Sequence, residues 1–470
     1  MKLWGGRFEG RSDPLFEKFS ESFSVDQRLI AYDLRVNLAY VRELGRARVL
    51  KRNEVSALAR GLDAIARYVK QNARWAAREK SEDVHSWVEA RLEKEIGPVA
   101  GKLRTGRSRN DLVATETRLY VKDAIGELQK SAAGFLESLL QQARANKSAI
   151  LPGYTHLQPA QPVLFPHYLL AYFEMLLRDV SRLRECYSRV DELPMGAGAL
   201  AGAAFPIDRT RLARELGFAR VARNSLDVTS DRDFVCDLLF ACSLILVHLS
   251  RLSEDFIIYS TPALGFVELY DAYATGSSLM PQKKNADTLE LIRGKAARVL
   301  GGLTSMLALL KGLPLAYDRD LQEDKGVLFE AVDTTSDCLI LAGRVVGTLH
   351  VRADRMKEAT AQGFLTATEV ADALVQRGVA FAQAHEQVGK LVRYCVDRNK
   401  TFADLAQDEA RRLIPVWDKD LAKAAVSAEM SVRRKNAIGG TAPGQVARQL
   451  ANANQVLRRL KKEVAHMSSK

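Results

Sequence analysis

The chain has 470 residues, of which 47% are hydrophobic and 27% charged, an ordinary globular composition with room for several domains. Its formal net charge of +12 arises from 69 basic residues interleaved with 57 acidic ones along helix faces. With no zinc finger and no basic groove interleaved with aromatics, that excess points to a small anionic substrate and away from nucleic acid. The five cysteines, Cys186, Cys236, Cys242, Cys338 and Cys395, lie far apart and read as reduced core residues of a cytoplasmic protein. No apolar run follows Met1–Arg7, so a secretory signal is not expected. Residues 148–173 lack charge but carry four prolines, and Leu238–Ser250 is too short to span a bilayer unaided, so neither is read as a membrane span.

In chain order, the first region is helical, with short apolar stripes around Leu34, Leu38 and Val41 and an end near Gly97-Pro98. A polar loop follows, Thr105-Gly106-Arg107-Ser108-Arg109-Asn110-Asp111. Asn110 or Asp111 is expected to cap a helix there, and the flanking guanidinium groups to recognise a carboxylate. The stripe Val121, Ile125, Leu128, Ala132, Phe135, Leu139 then predicts a long helix, because apolar spacings alternating between four and three belong to helices packed side by side. Next comes Leu151–Pro162, a loop stiffened by prolines around His156, the best-placed group for proton transfer near neutral pH. A second stripe runs Leu169, Phe173, Leu176, Val180, Leu183, Tyr187, Val190, and a third Leu238, Cys242, Ile245, Leu249, Leu252, Phe256.

The glycine-led segment Gly276-Ser277-Ser278-Leu279-Met280-Pro281-Gln282-Lys283-Lys284-Asn285 places two hydroxyls, two ammonium groups and a carboxamide in one loop, a composition suited to gripping an anion and moving a proton. Asp287-Thr288-Leu289-Glu290 reads as a helix cap with a glutamate three positions on, so the loop should meet the positive end of a helix. The fourth stripe follows: Leu289, Ile292, Ala296, Val299, Leu303, Met306, Leu310. Beyond the polar run Tyr317–Lys325, shorter helices from about Gly363 are broken by Gly378, Gly389 and Gly439-Gly440, and Arg458–Lys462 reads as a solvated helix end. Nothing alternates with period two for more than a few residues, so the expected fold is all-α: an N-terminal region 1–108, a central long-helix bundle 109–360 and a C-terminal region 361–470. The stripes offer more apolar helix surface than one chain's bundle need cover, which predicts a homo-oligomer.

Other chemistries find no support. Gly196–Gly202 has the wrong spacing for a nucleotide loop and no strand before it, His385-Glu386 lacks the second histidine of a zinc helix, and no Gly-x-Ser-x-Gly elbow is present. The expectation is an enzyme without metal or cofactor.

The polar motifs together resemble the argininosuccinate lyase family of the aspartase and fumarase superfamily, over essentially the whole chain. Gly276–Asn285 matches the superfamily signature, which alone leaves fumarase, aspartase and adenylosuccinate lyase open. The narrower match lies in Thr105–Asp111, Gly153–Pro159 and Asp320–Lys325, with further agreement in Trp4–Phe8, Ser230–Phe234, Thr366–Glu369 and Ile438–Pro443. The resemblance implies reversible cleavage of argininosuccinate to arginine and fumarate by a homotetramer whose central bundle and active sites are shared between subunits. It implies that Ser277 is the base, that His156 supported by Glu290 is on the acid side, and that Lys283 and Asn285 stabilise the aci-carboxylate intermediate. Ser22, Ser108, Asn110, Thr155, Tyr317, Gln322 and Lys325 are placed by the same similarity around the substrate. Another fumarate-releasing lyase, or a non-catalytic crystallin-like relative, is the alternative, and the matched Ser277, His156, Lys283 and Asn285 argue against the second. The chain departs from the family pattern at Ala286 (usually proline), Arg104 (histidine) and Asp318 (asparagine).

Overall fold

A computed structural model describes residues 12–467, so the Trp4–Phe8 motif lies outside the described residues. The N-terminal region packs α1 (Ile30–Arg46), α2 (Arg52–Gln71) and α3 (Val84–Ile96) around Leu34, Val41, Leu44, Leu58, Leu62 and Trp87. Leu38, on the same stripe, is only partly buried at its edge. Helix α3 stops where Gly97 takes a φ of 70°, a conformation glycine adopts without Cβ strain, and a 3₁₀ turn (Gly97–Arg104) leads into the next helix.

That helix, α4 (Arg109–Ala145), has 37 residues and is followed by the strands β1 (Ile150–Thr155) and β2 (Gln158–Leu164). The bundle continues with α5 (Phe165–Val190), α6 (Asp233–Ser260), α7 (Asp287–Leu310) and α8 (Asp324–Thr348). The four stripes fall on α4, α5, α6 and α7, and most of their side chains form one buried cluster; Tyr187, Leu303 and Leu310 lie at its margin. Helix α6 has the length and apolarity to cross a membrane, with a mean hydropathy of 1.8 over its most apolar 18 residues, but its stripe lies in the bundle interior. Helix α8 is a fifth bundle member that no stripe announced. Thr334, Thr335, Ala342 and Gly343 interrupt its large apolar residues, and a Cβ added at Gly343 would lie 3.3 Å from Phe135 Cα, so α8 buries itself by close backbone approach.

Two segments pack away from their neighbours in sequence. Leu193, Met195, Leu212, Leu216 and Phe218 join the N-terminal cluster. The last helix, Pro443–Met467, lays Val446, Leu450, Leu457, Leu460 and Val464 on the bundle, with Lys461 Nζ 2.6 Å from Glu137 Oε1. Between them, the C-terminal core of Val370, Leu374, Leu391, Ile414, Trp417 and Leu421 stands as its own cluster.

No sizeable sheet forms; the described strands make four two-stranded ladders. The largest corrects one expectation: the segment around His156 is the β1–β2 hairpin and not an irregular loop. Thr155 pairs with Gln158, leaving His156 and Leu157 as a two-residue turn.

Helix directions decide which loops meet. Arg118, early in α4, pairs with Asp231 just before α6, and Arg232 pairs with Asp324 at the start of α8. At the other end Gln142, late in α4, donates to the carbonyls of Gly347 and Leu349 as α8 closes. Helices α4, α6 and α8 therefore run parallel.

Candidate active site

The candidate residues fall into groups at the two ends of the bundle. At the end where α4, α6 and α8 begin, Ser108 is the cap of α4: its Oγ accepts from Asn110 N at 3.2 Å and its N–H donates to Asp111 Oδ1 at 3.0 Å. The cap is thus two positions before Asn110 and three before Asp111, the residues the sequence suggested. Asp111, fully buried, turns its other oxygen to the N–H groups of Gly196 and Gly198 at 3.0 and 2.9 Å, so it ties the glycine-rich segment to α4. Asn110 Nδ2 reaches Ala199 O of that segment at 3.3 Å.

The flanking arginines are both engaged within the chain, which corrects the expectation for buried Arg107. Arg107 donates to Asn37 Oδ1 and its side chain is buried, so its guanidinium is closed to a ligand's carboxylate; Arg109 donates to Asp83 and to Ser86 Oγ but stays partly exposed. Arg104 pairs with Glu89 at 3.2 Å.

Ser22 is buried at the same end, its Oγ donating to Asp26 Oδ2 at 2.7 Å and its N–H to Glu82 O at 2.8 Å. Arg319 and Gln322 both reach Ser20 O, at 3.0 and 3.2 Å, which draws the Tyr317–Lys325 segment onto the N-terminal region. Ala316 takes a φ of 69°, a left-handed conformation unusual outside glycine, as it turns the chain into Tyr317. Burial raises the Tyr317 phenol above its ordinary value, against the pull of Arg232, so it stays a hydrogen-bond donor. Lys325 Nζ sits 2.6 Å from Asp324 Oδ1.

Beneath this surface lies a network the sequence reading did not single out. His85 Nδ1 is 2.7 Å from Asp33 Oδ2 and 3.6 Å from Glu116 Oε2, all three side chains are buried, and neither Glu116 oxygen has a hydrogen-bond partner. Their ligand atoms lie within 4.8 Å of one another, close enough to share a metal ion. Arg107 acts on Glu116 and brings positive charge to the place a cation would fill, so protons suit the cluster better. Burial first, then Asp33, hold the Glu116 carboxyl well above its ordinary 4.5. The folded chain therefore keeps a proton that the unfolded chain releases above pH 4.5, and stability falls as pH rises from there towards the folded value. Glu116→Gln, neutral and of the same shape, should flatten that slope: its melting temperature should exceed the parent's at pH 8 by more than at pH 4.5. An offset independent of pH would contradict a neutral Glu116.

The second group lies at the other end. Tyr154 stands 6.2 Å from Tyr259 near the end of α6, which sets the hairpin there, and Thr441 Oγ1 accepts from Leu164 N at 2.8 Å, clamping β2 to the Ile438–Pro443 motif. Thr155 and His156 are exposed at the tip, His156 with a φ of 55°. The short ladders Val267–Glu268 with His350–Val351 and Thr275–Gly276 with Lys284–Asn285 frame the glycine-led loop at the same end. Ser277 Oγ accepts from the backbone N–H groups of Leu279 at 3.2 Å and Met280 at 3.0 Å. Two donors on one hydroxyl oxygen favour its anionic form.

The two lysines of the loop differ. Lys284 is held by Asp271 at 2.6 Å and Glu268 at 3.4 Å, whereas exposed Lys283 has no ion-pair partner among the described residues. Asn285 Nδ2 lies 3.4 Å from Gly276 O. The expected cap on α7 does not form: Ala286 is the cap residue and offers no side-chain bond, Asp287 accepts from the Thr275 hydroxyl, and Glu290 is exposed. The first N–H groups of α7 thus face the loop without a side-chain acceptor, a setting favourable to negative charge.

Among the described residues no hydrogen bond joins one end's candidates to the other's, nor His156 to Glu290 or Ser277. Helix α6, with 28 residues, separates the ends by about 40 Å at 1.5 Å per residue.

Comparison with known proteins supplies the frame for this divided arrangement. The lyase family matches residues 6–301, and the argininosuccinate lyase C-terminal family matches residues 364–433. The argininosuccinate lyase of Pelotomaculum thermopropionicum is 47% identical over 457 residues, covering 97% of this chain and 99% of that protein. That of Desulforudis audaxviator is 48% identical, covering 98% of this chain and 100% of its own length. Among solved structures, an EDDS lyase variant with bound fumarate superposes with a TM-score of 0.86 at 26% identity, over 98% of this chain and 93% of that one.

Proposed function

The chain belongs to the argininosuccinate lyase family, and from that premise we propose that its separated groups of residues form an active site only where chains associate. The enzyme is a carbon–nitrogen lyase that eliminates arginine from argininosuccinate and leaves fumarate, a step of arginine biosynthesis. The observation that carries the proposal is the distance of about 40 Å, the length of α6, between Ser108, Asn110, Tyr317 and Lys325 at one end and Ser277 and His156 at the other. No small substrate touches both. A second bundle lying antiparallel would bring opposite ends together.

In our reading the substrate's carboxylates lie among Ser22, Ser108, Asn110, Thr155, Tyr317, Gln322 and Lys325, drawn from more than one chain. Ser277, its oxygen held by the N–H groups of Leu279 and Met280, removes the proton beside a succinyl carboxylate. The electron pair of that C–H bond moves onto the carboxylate as an aci-carboxylate, where Lys283, Asn285 and the start of α7 meet the developing charge. The pair then forms the carbon–carbon double bond of fumarate as the C–N bond breaks, and His156, supported by Glu290, gives a proton to the departing guanidino nitrogen. The step is redox-neutral.

We infer a homotetramer. Helix α7 turns Gly294 and Gly301 outward, where an added Cβ would meet nothing within 4 Å, and the exposed Leu291, Leu300 and Leu307 flank them. Glycine in a helix interior costs roughly 0.5–1 kcal/mol against alanine. A neighbouring helix approaching closely gives these glycines a reason. We further propose the three-region division 1–108, 109–360 and 361–470, with residues 193–218 and the last helix packing across it, and a cytoplasmic location, in keeping with five unpaired cysteines.

Mixing tests the shared site. Ser277→Ala and Asn110→Leu chains, each inactive alone, should regain activity when unfolded and refolded together, because about a quarter of randomly assembled sites then carry neither substitution. Fumarate release, read near 240 nm, reports it. No recovery in mixed oligomers confirmed by mass would mean that each site is built within one chain.

A further inference from the structure

The hairpin tip contains a cost that the chain alone does not offset. Thr155 pairs with Gln158, so the turn has two residues, His156 and Leu157, with φ of 55° and 58°. Such turns favour Asn-Gly, because both central residues must enter the left-handed region that side chains disfavour. Left-handed backbone outside glycine persists where surroundings over-determine it, and it clusters at functional sites. For His156 the proposed acid role explains the placement. Leu157 has no such role, yet it holds a branched side chain 76% exposed to water.

The opposite end of the chain presents an apolar rim of matching character. Leu200 is 44% exposed beside Asn110, whose side chain reaches the carbonyl of Ala199. Phe205, 39% exposed, lies over Gly106, where an added Cβ would come within 2.5 Å of its ring. Leu315, 76% exposed, precedes the left-handed Ala316 that turns into Tyr317. Each of three exposed apolar side chains thus lies close to a candidate substrate contact, Leu200 to Asn110, Phe205 to the Gly106 that precedes Ser108, and Leu315 to Tyr317 along the chain, at the end that, under the shared-site reading, receives another chain's His156.

Resting on that reading, we propose that Leu157 is a positioning residue: it seats the hairpin tip on the Leu200, Phe205 and Leu315 rim of a second copy and so fixes His156 against the substrate. The turn's strain is then held by an intermolecular apolar contact, and the left-handed Leu aims its side chain where a Gly or Asn would offer nothing.

Leu157→Gly tests this, because glycine suits the turn better and should leave the fold and the assembly intact. The variant should keep the parent's oligomeric mass while its kcat falls by about 10- to 100-fold with little change in KM, the range expected when a proton donor is displaced by about 1 Å. Leu157→Met should restore kcat to within about threefold, since it keeps an apolar side chain of similar volume. Leu157→Ala combined with Leu200→Ala should cost less than the product of the two single losses, as residues in contact do. Parental kcat in Leu157→Gly overturns the inference, as does strict multiplicativity in the double variant or a loss that comes with dissociation of the assembly. His156→Asn serves as the control. If it is inactive while Leu157→Gly is not, only the positioning role fails; if it is fully active, the site reading itself falls.

Discussion

Ser277→Ala is expected to lower kcat by about 10²- to 10⁴-fold while leaving argininosuccinate binding nearly unchanged, because a lost base removes an interaction made mainly in the transition state. The geometry sharpens the expectation. A serine is a weak base in water, but the Ser277 oxygen accepts from Leu279 N at 3.2 Å and Met280 N at 3.0 Å, and the free ammonium of Lys283 belongs to the same loop. Those donors are available to a negative oxygen and lower the cost of forming it. Ser278, exposed and without a hydrogen-bond partner among the described residues, should tolerate alanine with a much milder loss. Steady-state kinetics on both variants, with calorimetric titration of argininosuccinate onto Ser277→Ala, separates catalysis from loop order. If both serines raise KM equally and leave kcat near the parent's, Ser277 is not the base, and His156 becomes the next candidate.

The largest effect on stability should come from Arg232. Its guanidinium and the Asp324 carboxylate are both 0% exposed and 2.5 Å apart, and Lys325 Nζ closes on the same carboxylate at 2.6 Å. Burial alone would push the Asp324 carboxyl up, but Lys325 and Arg232 outweigh it and hold it below its ordinary 3.8. The pairing therefore contributes stability above pH 3.8 that is lost as pH falls through the depressed folded value. Arg232→Leu leaves a buried carboxylate with one cation in place of two. Breaking a buried pair from one side costs about 3–5 kcal/mol. Urea unfolding at fixed chain concentration should show that loss, together with an acid transition at higher pH. The double variant Arg232→Leu, Asp324→Leu should recover much of it, because no uncompensated charge remains. A single variant within 1 kcal/mol of the parent, an error-sized change on the scale of about 5–15 kcal/mol for whole domains, would show that this junction does not hold α6 to α8.

The helices and the chemistry-bearing segments were legible in the sequence because both are local. A spacing of four and three marks a buried stripe wherever it occurs, and the stripes on α4, α5, α6 and α7 lie in the bundle core they describe. The match of Gly276–Asn285 and Thr105–Asp111 to known motifs likewise needs only neighbours in the chain. Helix α8 escaped because it buries itself through small residues such as Gly343 against Phe135, and small residues leave no stripe. Arg107 looked like a ligand contact, yet its side chain is buried and donates to Asn37, 70 positions away. Asp111 looked like a simple cap, yet its second oxygen fastens Gly196 and Gly198.

What the sequence determined by itself, then, was the all-α class, four of the bundle helices, the family and the residues with chemistry to offer. Which of those residues are free and which are engaged, and that they lie at two ends of the bundle, only the tertiary structure decided. The physical reason is range. Periodicity and capping act over a few residues, whereas the parallel course of α4, α6 and α8 is fixed by pairs such as Arg232 with Asp324, 92 positions apart, whose attraction exists only after the helices have packed.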